Sequence, residues 1–523
     1  MTLSFIDPKI CNPDDSDISA YFEKDYPLCR EVSDQLISEW KKSLRRKCHN
    51  GLQRESPFQF SGIPVKGQAP DQWFRTMHRK FGRTTFNLGS GRYIGHMTSA
   101  LPTFLKPLAE AIVSYNQNMV KWETSGSFSY QEQHTLGMLH QLVYERSDSY
   151  YDHAIQHARP LGSFCSGGTV ANMTALWVAR NQCFPPNDQF SGVASSGLHK
   201  ALQAYGYQDA VVLVSSLGHY SLSKAMDLMG MGKNQLFKIK TDQAGKTDLN
   251  HLEQTLISCK EHSVKVIAIV GVAGSTETGS VDPLHSMAEL AKSYQCHFHV
   301  DAAWGGATLL SQQYRHILSG IELADSVTLD PHKQFYTPMG VGCILFNDHS
   351  LPESVKHEAN YIIRKDSKDS GRYTLEGSRP NHSLYVQAVL SILGRQGLSS
   401  LVDQGIQKAK EFATMICDDP DFELMTEPTL NILTYRFRSE SIKLGTDDLN
   451  ELNKVIQKEQ AYRGLSFVSR TELNISQLNE SSPAIVFRAI LANPLTTRED
   501  LRLILEEQRS LGEEFISQIK GGR

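Results

Sequence analysis

A histidine and a lysine stand side by side at His332–Lys333, in the stretch DPHKQF (330–335). The apolar run SVTL precedes them and QFYTPMGVGCILF follows, so the pair lies between two segments that read as core strands. Lysine is rarely buried without a partner, and a desolvated amine tends to shed its proton and become a nucleophile. A snorkelling surface lysine is the ordinary alternative. A residue between two core strands, however, sits at a strand-end crevice and not on an outer face. Covalent capture of a carbonyl compound is the chemistry this position offers.

Three further loops offer unusual residues. In SGGTVANMTAL (166–176), two glycines and Thr169 lead straight into a helical pattern. Free N–H groups at a helix N-terminus, with the helix dipole, make a seat for an anion at Gly168 and Thr169; a plain glycine turn capped by Thr169 is the alternative. In SSLGHYSLSKA (215–225), His219 follows a strand, where it can stack on a flat ring or handle protons; taken by itself, a loop histidine bonded to carbonyls explains it as well. In HFHVDAAWGG (297–306), Asp301 ends an apolar run. A buried carboxylate needs a cationic partner, and Ala303 with the glycines keeps the space above it open. An Asp capping the next turn is the alternative, but the apolar flanks favour a functional role.

One ligand uses all four features: pyridoxal 5'-phosphate. Its phosphate suits the helix N-terminus, its ring an imidazole face, its pyridine nitrogen a carboxylate, and its aldehyde a Schiff base with Lys333.

The elements that must position these residues follow from hydrophobic pattern. Strands are expected at 210–216, 264–274, 297–303, 326–331 and 341–347, with helices at 170–182, 222–230 and 282–295. Near-continuous apolar strands with helical crossovers imply a largely parallel sheet covered on both faces, with ligands at strand ends. Before it, a helix is expected near 29–44, a loop at 55–70 and another helix at 104–120. After it, 422–437 and 484–494 read as strands, and 497–519 as a long amphipathic helix capped by Thr497, with Glu499 and Asp500 in its first turn. The division expected is an N-terminal helical and irregular segment (1–90), a large cofactor domain (91–390) and a small α+β C-terminal domain (391–523).

Composition sets the outer bounds. With 523 residues, 40% hydrophobic and 21% charged, the chain has the make-up of an ordinary water-soluble protein. A formal charge of -4 gives no broad basic field for nucleic acid or an anionic membrane. Nine cysteines lack zinc-like or C-x-x-C spacing, so no metal site is expected, and Cys165, Cys296 and Cys343 read as small core residues in a reducing compartment. No secretory signal and no membrane-length apolar run is seen, and a cytoplasmic enzyme is the expected class.

HVDAAWGG (299–306) followed by DPHK (330–333) resembles the group II pyridoxal-phosphate-dependent amino-acid decarboxylases, over most of the chain from GRYIGHMTS (91–99) to LRLILEEQ (501–508). Within that family the sequence looks most like the bacterial aspartate 1-decarboxylases, which form β-alanine. The resemblance implies an α/β architecture of fold type I: a mostly parallel sheet of the seven-stranded type, helices on both faces, and a small α+β C-terminal domain. It also implies a homodimer with active sites at the interface. By position, Lys333 matches the Schiff-base lysine, His332 a phosphate contact, Asp301 the pyridine-nitrogen partner, and Ala303 the small residue against the ring. His219 matches the stacking imidazole, Gly168 and Thr169 the phosphate loop, and Thr276 in GSTETG a cofactor-side hydroxyl. Asp330 stands where several relatives have Asn; beside a phosphate its carboxylate repels unless protonated or turned away.

The reaction the resemblance implies is α-decarboxylation of an acidic amino acid, most of all aspartate; glutamate, or the substrate of another group II amino-acid decarboxylase, is the alternative. Other reactions on this cofactor, or a non-catalytic binder, are the rivals. Arg379 in LEGSRP matches a family arginine near the substrate carboxylate or its supporting shell; Arg92 is a second candidate, and His96 and Thr98 could read the distal group. In many relatives a loop tyrosine returns the proton to the substrate carbon. Here that position falls near Lys368, flanked by Tyr361 and Tyr373. Either tyrosine, or His219, could serve.

Overall fold

Every apolar run expected to form a strand does so. A computed structural model describes residues 27–44, 47–49, 60–82, 85–358, 367–440, 443–473 and 483–521. Its larger sheet has seven strands: β1 (Gly162–Cys165), β2 (Asp209–Ser215), β3 (Leu236–Ile239), β4 (Val264–Val272), β5 (His297–Asp301), β6 (Ser326–Leu329) and β7 (Gly342–Phe346). The order across the sheet is β1-β7-β6-β5-β4-β2-β3. The five strands from β6 to β3 are parallel, and β7 runs antiparallel to both its neighbours. β1 and β3 were not anticipated. Both are four-residue edge strands, too short to carry a hydrophobic period of their own.

Alternation along the strands divides the core. In β2, Val211 and Leu213 join the cluster on one face, and Ala210, Val212 and Val214 the cluster on the other. Among the helices that cover the sheet, α1 (Ser127–Tyr144) and α2 (Gly168–Cys183) flank β1 in sequence, α3 (Tyr220–Leu228) follows β2, and α4 (Leu284–Ser293) links β4 to β5. The tight join between sheet and α2 depends on Gly342. A Cβ there would lie 2.5 Å from the Gly167 backbone.

A second sheet, fully antiparallel, has order β10-β11-β9-β8, from β8 (Phe422–Thr426), β9 (Ile432–Phe437), β10 (Ser469–Leu473) and β11 (Ala484–Ile490). Helices α5 (Gly394–Cys417), α6 (Thr446–Arg463) and α7 (Arg498–Gly521) pack on it. Thr497 caps α7 as anticipated: its Oγ1 accepts from the Asp500 N–H at 3.2 Å, and its own N–H donates to Asp500 Oδ2 at 3.0 Å. The segment near residue 91, expected to open the large domain, forms an isolated bridge beside this second sheet, Tyr93 with Phe467. Ile94 N–H donates to the Phe467 carbonyl, Ile94 O accepts from Ile490, and the Ile94 side chain lies in the core of the C-terminal unit. Pairing with a distant strand leaves no local trace in sequence. Among the described residues no helix is long and apolar enough to cross a membrane.

α1 carries a fully buried imidazole, His140. Its Nε2 donates to the Phe346 carbonyl at 3.0 Å, and its Nδ1 accepts from the Tyr151 hydroxyl at 3.0 Å. Burial pulls its pKa down to about 4. The folded chain therefore excludes a proton that the unfolded chain binds below its ordinary value of 6.5. Stability contributed by this group is present above that value and is lost as pH falls toward 4, at about 1.4 kcal/mol per pH unit. Urea midpoints measured between pH 4.5 and 7 are expected to rise with pH. The His140→Gln variant is expected to lose this share of the slope.

Candidate functional site

The C-terminal ends of β2, β4, β5 and β6 open onto a cavity of about 330 Å³. It is lined by Gly168, Thr169, His219, Thr276, Asp301, Ala303, His332 and Lys333, so all the expected cofactor residues meet in one place.

Lys333 sits in the turn after β6, its N–H bonded to the Asp330 carbonyl at 2.9 Å. Its amine is not stranded among apolar groups, as the sequence suggested. Nζ lies 3.1 Å from Asp330 Oδ2, and that carboxylate is itself buried. Asp330 is thus turned toward the lysine, and a Cβ on Gly168 would come within 2.7 Å of its Oδ2; the glycine makes room for the carboxylate at the start of α2. His332 donates from Nδ1 to the Val341 carbonyl at 2.7 Å, with Nε2 3.7 Å from Asp330 Oδ2.

Asp301 ends β5 and is 7% exposed. Its Oδ2 accepts from Asn172 Nδ2 at 2.8 Å and its Oδ1 from the Ala303 N–H at 3.2 Å. Among the described residues no cation forms an ion pair with it. His219 caps α3: its Nδ1 accepts from Ser221 N–H at 3.3 Å and from Ser221 Oγ at 2.8 Å. Burial lowers its pKa, and Lys333 lowers it further against the opposing pull of Asp301, so the imidazole is neutral near pH 7.

The lysine turn is clamped to the C-terminal sheet by a closed ring of buried amides. Trp304 Nε1 donates to Asn431 Oδ1 at 3.0 Å, Asn431 Nδ2 to Gln334 Oε1 at 2.8 Å, and Gln334 Nε2 to the Trp304 carbonyl at 2.9 Å. Tyr336 adds a second tie, its hydroxyl on the Ala492 carbonyl at 2.8 Å. Its φ of 58° is a left-handed conformation that a bulky residue adopts only when the surroundings hold it there.

The residues expected to bind substrate separate. Arg379 does not line this cavity. Its guanidinium is buried in a two-pronged pair with Glu132, at 2.5 Å on each prong, and also reaches Ser370 Oγ at 3.1 Å. It lines a different cavity of about 670 Å³, along with Lys368 and Tyr373, that contains none of Lys333, Asp301 and His219. Tyr373 donates there to Glu353 at 2.7 Å, so it is placed away from the lysine. Tyr361 lies outside the described residues. Arg92 pairs with Asp500. His96 lies 3.4 Å from Thr98 Oγ1, and neither residue lines the cavity. The His96 pKa is depressed by burial first, then by the positive charges of Arg488 and Lys333.

Arg488 and Asn172 were missed. Arg488 stands in β11, its Nη1 donating to the carbonyl of cavity residue Thr276 at 3.0 Å and its Nε to Ser469 Oγ at 3.0 Å. Its signal was an arginine inside the apolar strand AIVFRAI. Asn172 was a lone amide on the helix face that carries Ala171, Ala175 and Ala179.

Pyridoxal phosphate fits these residues. Asp301 is a buried carboxylate that no cation of the described chain neutralises, as a protonated ring nitrogen would. The first N–H groups of α2 have no intrahelical acceptor and suit a phosphate. Lys333 opens onto the same space.

Residues 97–438 match the pyridoxal-dependent decarboxylase conserved domain. An aspartate 1-decarboxylase of Aliivibrio fischeri is 49% identical over 432 residues, which is 80% of this chain and 79% of that protein. An aromatic-L-amino-acid decarboxylase of Bacillus atrophaeus is 31% identical over 361 residues, 68% of this chain and 69% of the other. Among solved structures, mouse CSAD matches with a TM-score of 0.80 at 22% identity, over 93% of this chain and 98% of its own. Oryza sativa TDC, solved with PLP and tryptamine, matches with a TM-score of 0.80 at 17% identity, over 98% and 100%.

Arg379→Leu is expected to lower unfolding free energy by about 3–5 kcal/mol, because Glu132 is left buried and unpaired. Denaturant titration checks this. An unchanged midpoint with a raised KM would instead place Arg379 on the substrate.

Proposed function

Since the chain belongs to the pyridoxal-dependent decarboxylases, we propose that it converts L-aspartate and a proton to β-alanine and carbon dioxide. The observation that carries this reading is the meeting of Lys333, Asp301 and His219 in one cavity with Arg488 at its edge. The choice of aspartate draws on the relative that is 49% identical, and on Arg488, whose guanidinium bonds to the carbonyl of cavity residue Thr276 and suits a substrate with two carboxylates.

Pyridoxal phosphate, when bound, supplies the electron sink that accepts the pair left behind by departing carbon dioxide. Lys333 provides the amine that holds it, with the Asp330 carboxylate 3.1 Å away as its counter-charge. Asp301 supplies a fixed negative charge, favouring a protonated ring nitrogen. His219 offers a neutral, flat imidazole, and we take it, among the cavity residues, as the group that returns a proton to the substrate carbon; Tyr361 is the other residue weighed for that role. Arg488, held by Thr276 and Ser469, binds a substrate carboxylate.

The working unit is proposed as a homodimer with its active sites at the interface. Helix Pro70–Phe81 buries no residue within its own chain and exposes Trp73 and Phe81, while Tyr220 and Met339 beside the cavity are exposed. A cytoplasmic location is proposed from the described cysteines, all free thiols.

Carbon dioxide release from a panel of amino acids tests the assignment, with aspartate expected to lead. Faster release from glutamate would overturn the choice of substrate. Asp301→Asn is expected to lose about 10²-fold or more in kcat. Arg488→Gln is expected to lose about 10²-fold in kcat/KM for aspartate, mainly through KM. In steady-state assays, near-normal values for either variant would remove the role given to that residue.

A further inference from the structure

We propose that Asn172 is the positioning residue of this site: its single amide fixes the Asp301 carboxylate and, through Ser221, the His219 imidazole. The inference deepens the decarboxylase reading and rests on it for the identity of the cofactor.

Asn172 lies one turn into α2 and is 1% exposed. Its Nδ2 donates to Asp301 Oδ2 at 2.8 Å and to Ser221 Oγ at 3.0 Å. An ionised carboxylate only accepts, so the amide nitrogen must face Asp301 and the oxygen must face away. Ser221 Oγ, accepting from Asn172, gives its own hydrogen to His219 Nδ1 at 2.8 Å. This leaves the imidazole proton on Nε2. One side chain thereby orients the group that faces the ring nitrogen and fixes the tautomer of the group that faces the ring.

A buried chain of hydrogen bonds backs the amide. Asn172 Oδ1 is 3.1 Å from His299 Nε2, which must therefore carry the hydrogen. With that hydrogen on Nε2, the neutral ring's Nδ1 accepts from Ser326 Oγ at 2.9 Å and lies 3.2 Å from the Ser326 carbonyl without donating to it, and Ser326 Oγ accepts from His297 Nε2 at 2.7 Å. Every donor in this series points toward Asp301. His297, His299 and Asp301 are alternate residues of β5 and share one face, with Ser326 directly across from His299 on β6. Burial depresses the pKa of both histidines, so they act as neutral donors. A polar stripe through a core costs stability unless each member is satisfied, and this one is satisfied only with Asn172 in the observed orientation.

The test uses the purified holoenzyme and four variants. Asn172→Leu removes both donors, and Asn172→Asp sets a second carboxylate against Asp301. His299→Leu removes the backing donor, while His299→Gln keeps an N–H. Pyridoxal phosphate affinity by equilibrium dialysis and the visible circular dichroism of the bound cofactor are read beside kcat and KM. Both Asn172 variants are expected to bind the cofactor at least about tenfold more weakly, with a diminished visible band. Their kcat is expected to fall about 10–100-fold, with KM for aspartate changed less than about threefold. His299→Leu should follow in the same direction, and His299→Gln should recover most of the loss. Folded Asn172 variants with wild-type affinity and dichroism would overturn the proposal, as would a His299→Gln variant no better than His299→Leu. Should the Asn172 variants fail to fold, Ser221→Ala cuts only the branch to His219. A reduced visible band and kcat there support the proposal, and wild-type values overturn it. The cofactor readouts need no turnover, so a wild-type enzyme inactive on every amino acid would sink the proposed reaction while leaving this test intact.

Discussion

The site is organised around one carboxylate taken out of water. Asp301 stands at the end of a strand whose every residue is buried, with Val300 and Phe298 in the core on the opposite face. A charge in that position is tolerable only if donors surround it or a cation meets it. The chain supplies donors from Asn172 and Ala303 and leaves the cation to a ligand. The ends of β2, β4 and β6, laid beside β5 by parallel pairing, bring His219, Thr276 and Lys333 to the same ligand. The parallel sheet is what makes these loops neighbours, because it gathers the C-terminal ends of its strands on one side.

Positive charge around the cavity is distributed in a way that separates structure from chemistry. Arg379, three residues after Glu376, and Arg488, inside the apolar strand AIVFRAI, carry the same charge and differ in their partners. Arg379 is neutralised by Glu132 in the interior, whereas Arg488 makes no ion pair among the described residues: a carbonyl and a hydroxyl hold it, and the Glu277 carboxylate acts on it without bonding to it. Lys333 shows the same logic in reverse. Its neighbour Asp330 provides a counter-charge 3.1 Å from the amine.

The two sheets are joined where precision matters. The amide ring of Trp304, Gln334 and Asn431 ties the residue after Lys333 and the residue after Ala303 to the start of β9. A lysine on a turn fixed from both sides holds its amine in a narrower range than one on a free loop. The held φ of Tyr336, three residues on, is consistent with a turn whose shape is set by contacts rather than by its own preference.

The sequence alone marked the inner strands and the residues that line the cavity. Apolar runs named the five inner strands, because burial on both faces leaves no polar alternation. Lys333, Asp301, His219, Gly168 and Thr169 were legible because each is an unusual residue at the end of such a run, where local pattern already implies a strand-end position. Tertiary structure decided everything that depends on a partner far along the chain: the pairing of Arg379 with Glu132, the approach of Arg488 to Thr276, the addition of Ile94 to the C-terminal unit, and the place of Asn172 between Asp301 and His219. Charge neutralisation and hydrogen-bond direction are properties of pairs brought together by the fold. A single position can announce that it needs a partner, but the identity of that partner is fixed only when distant segments pack.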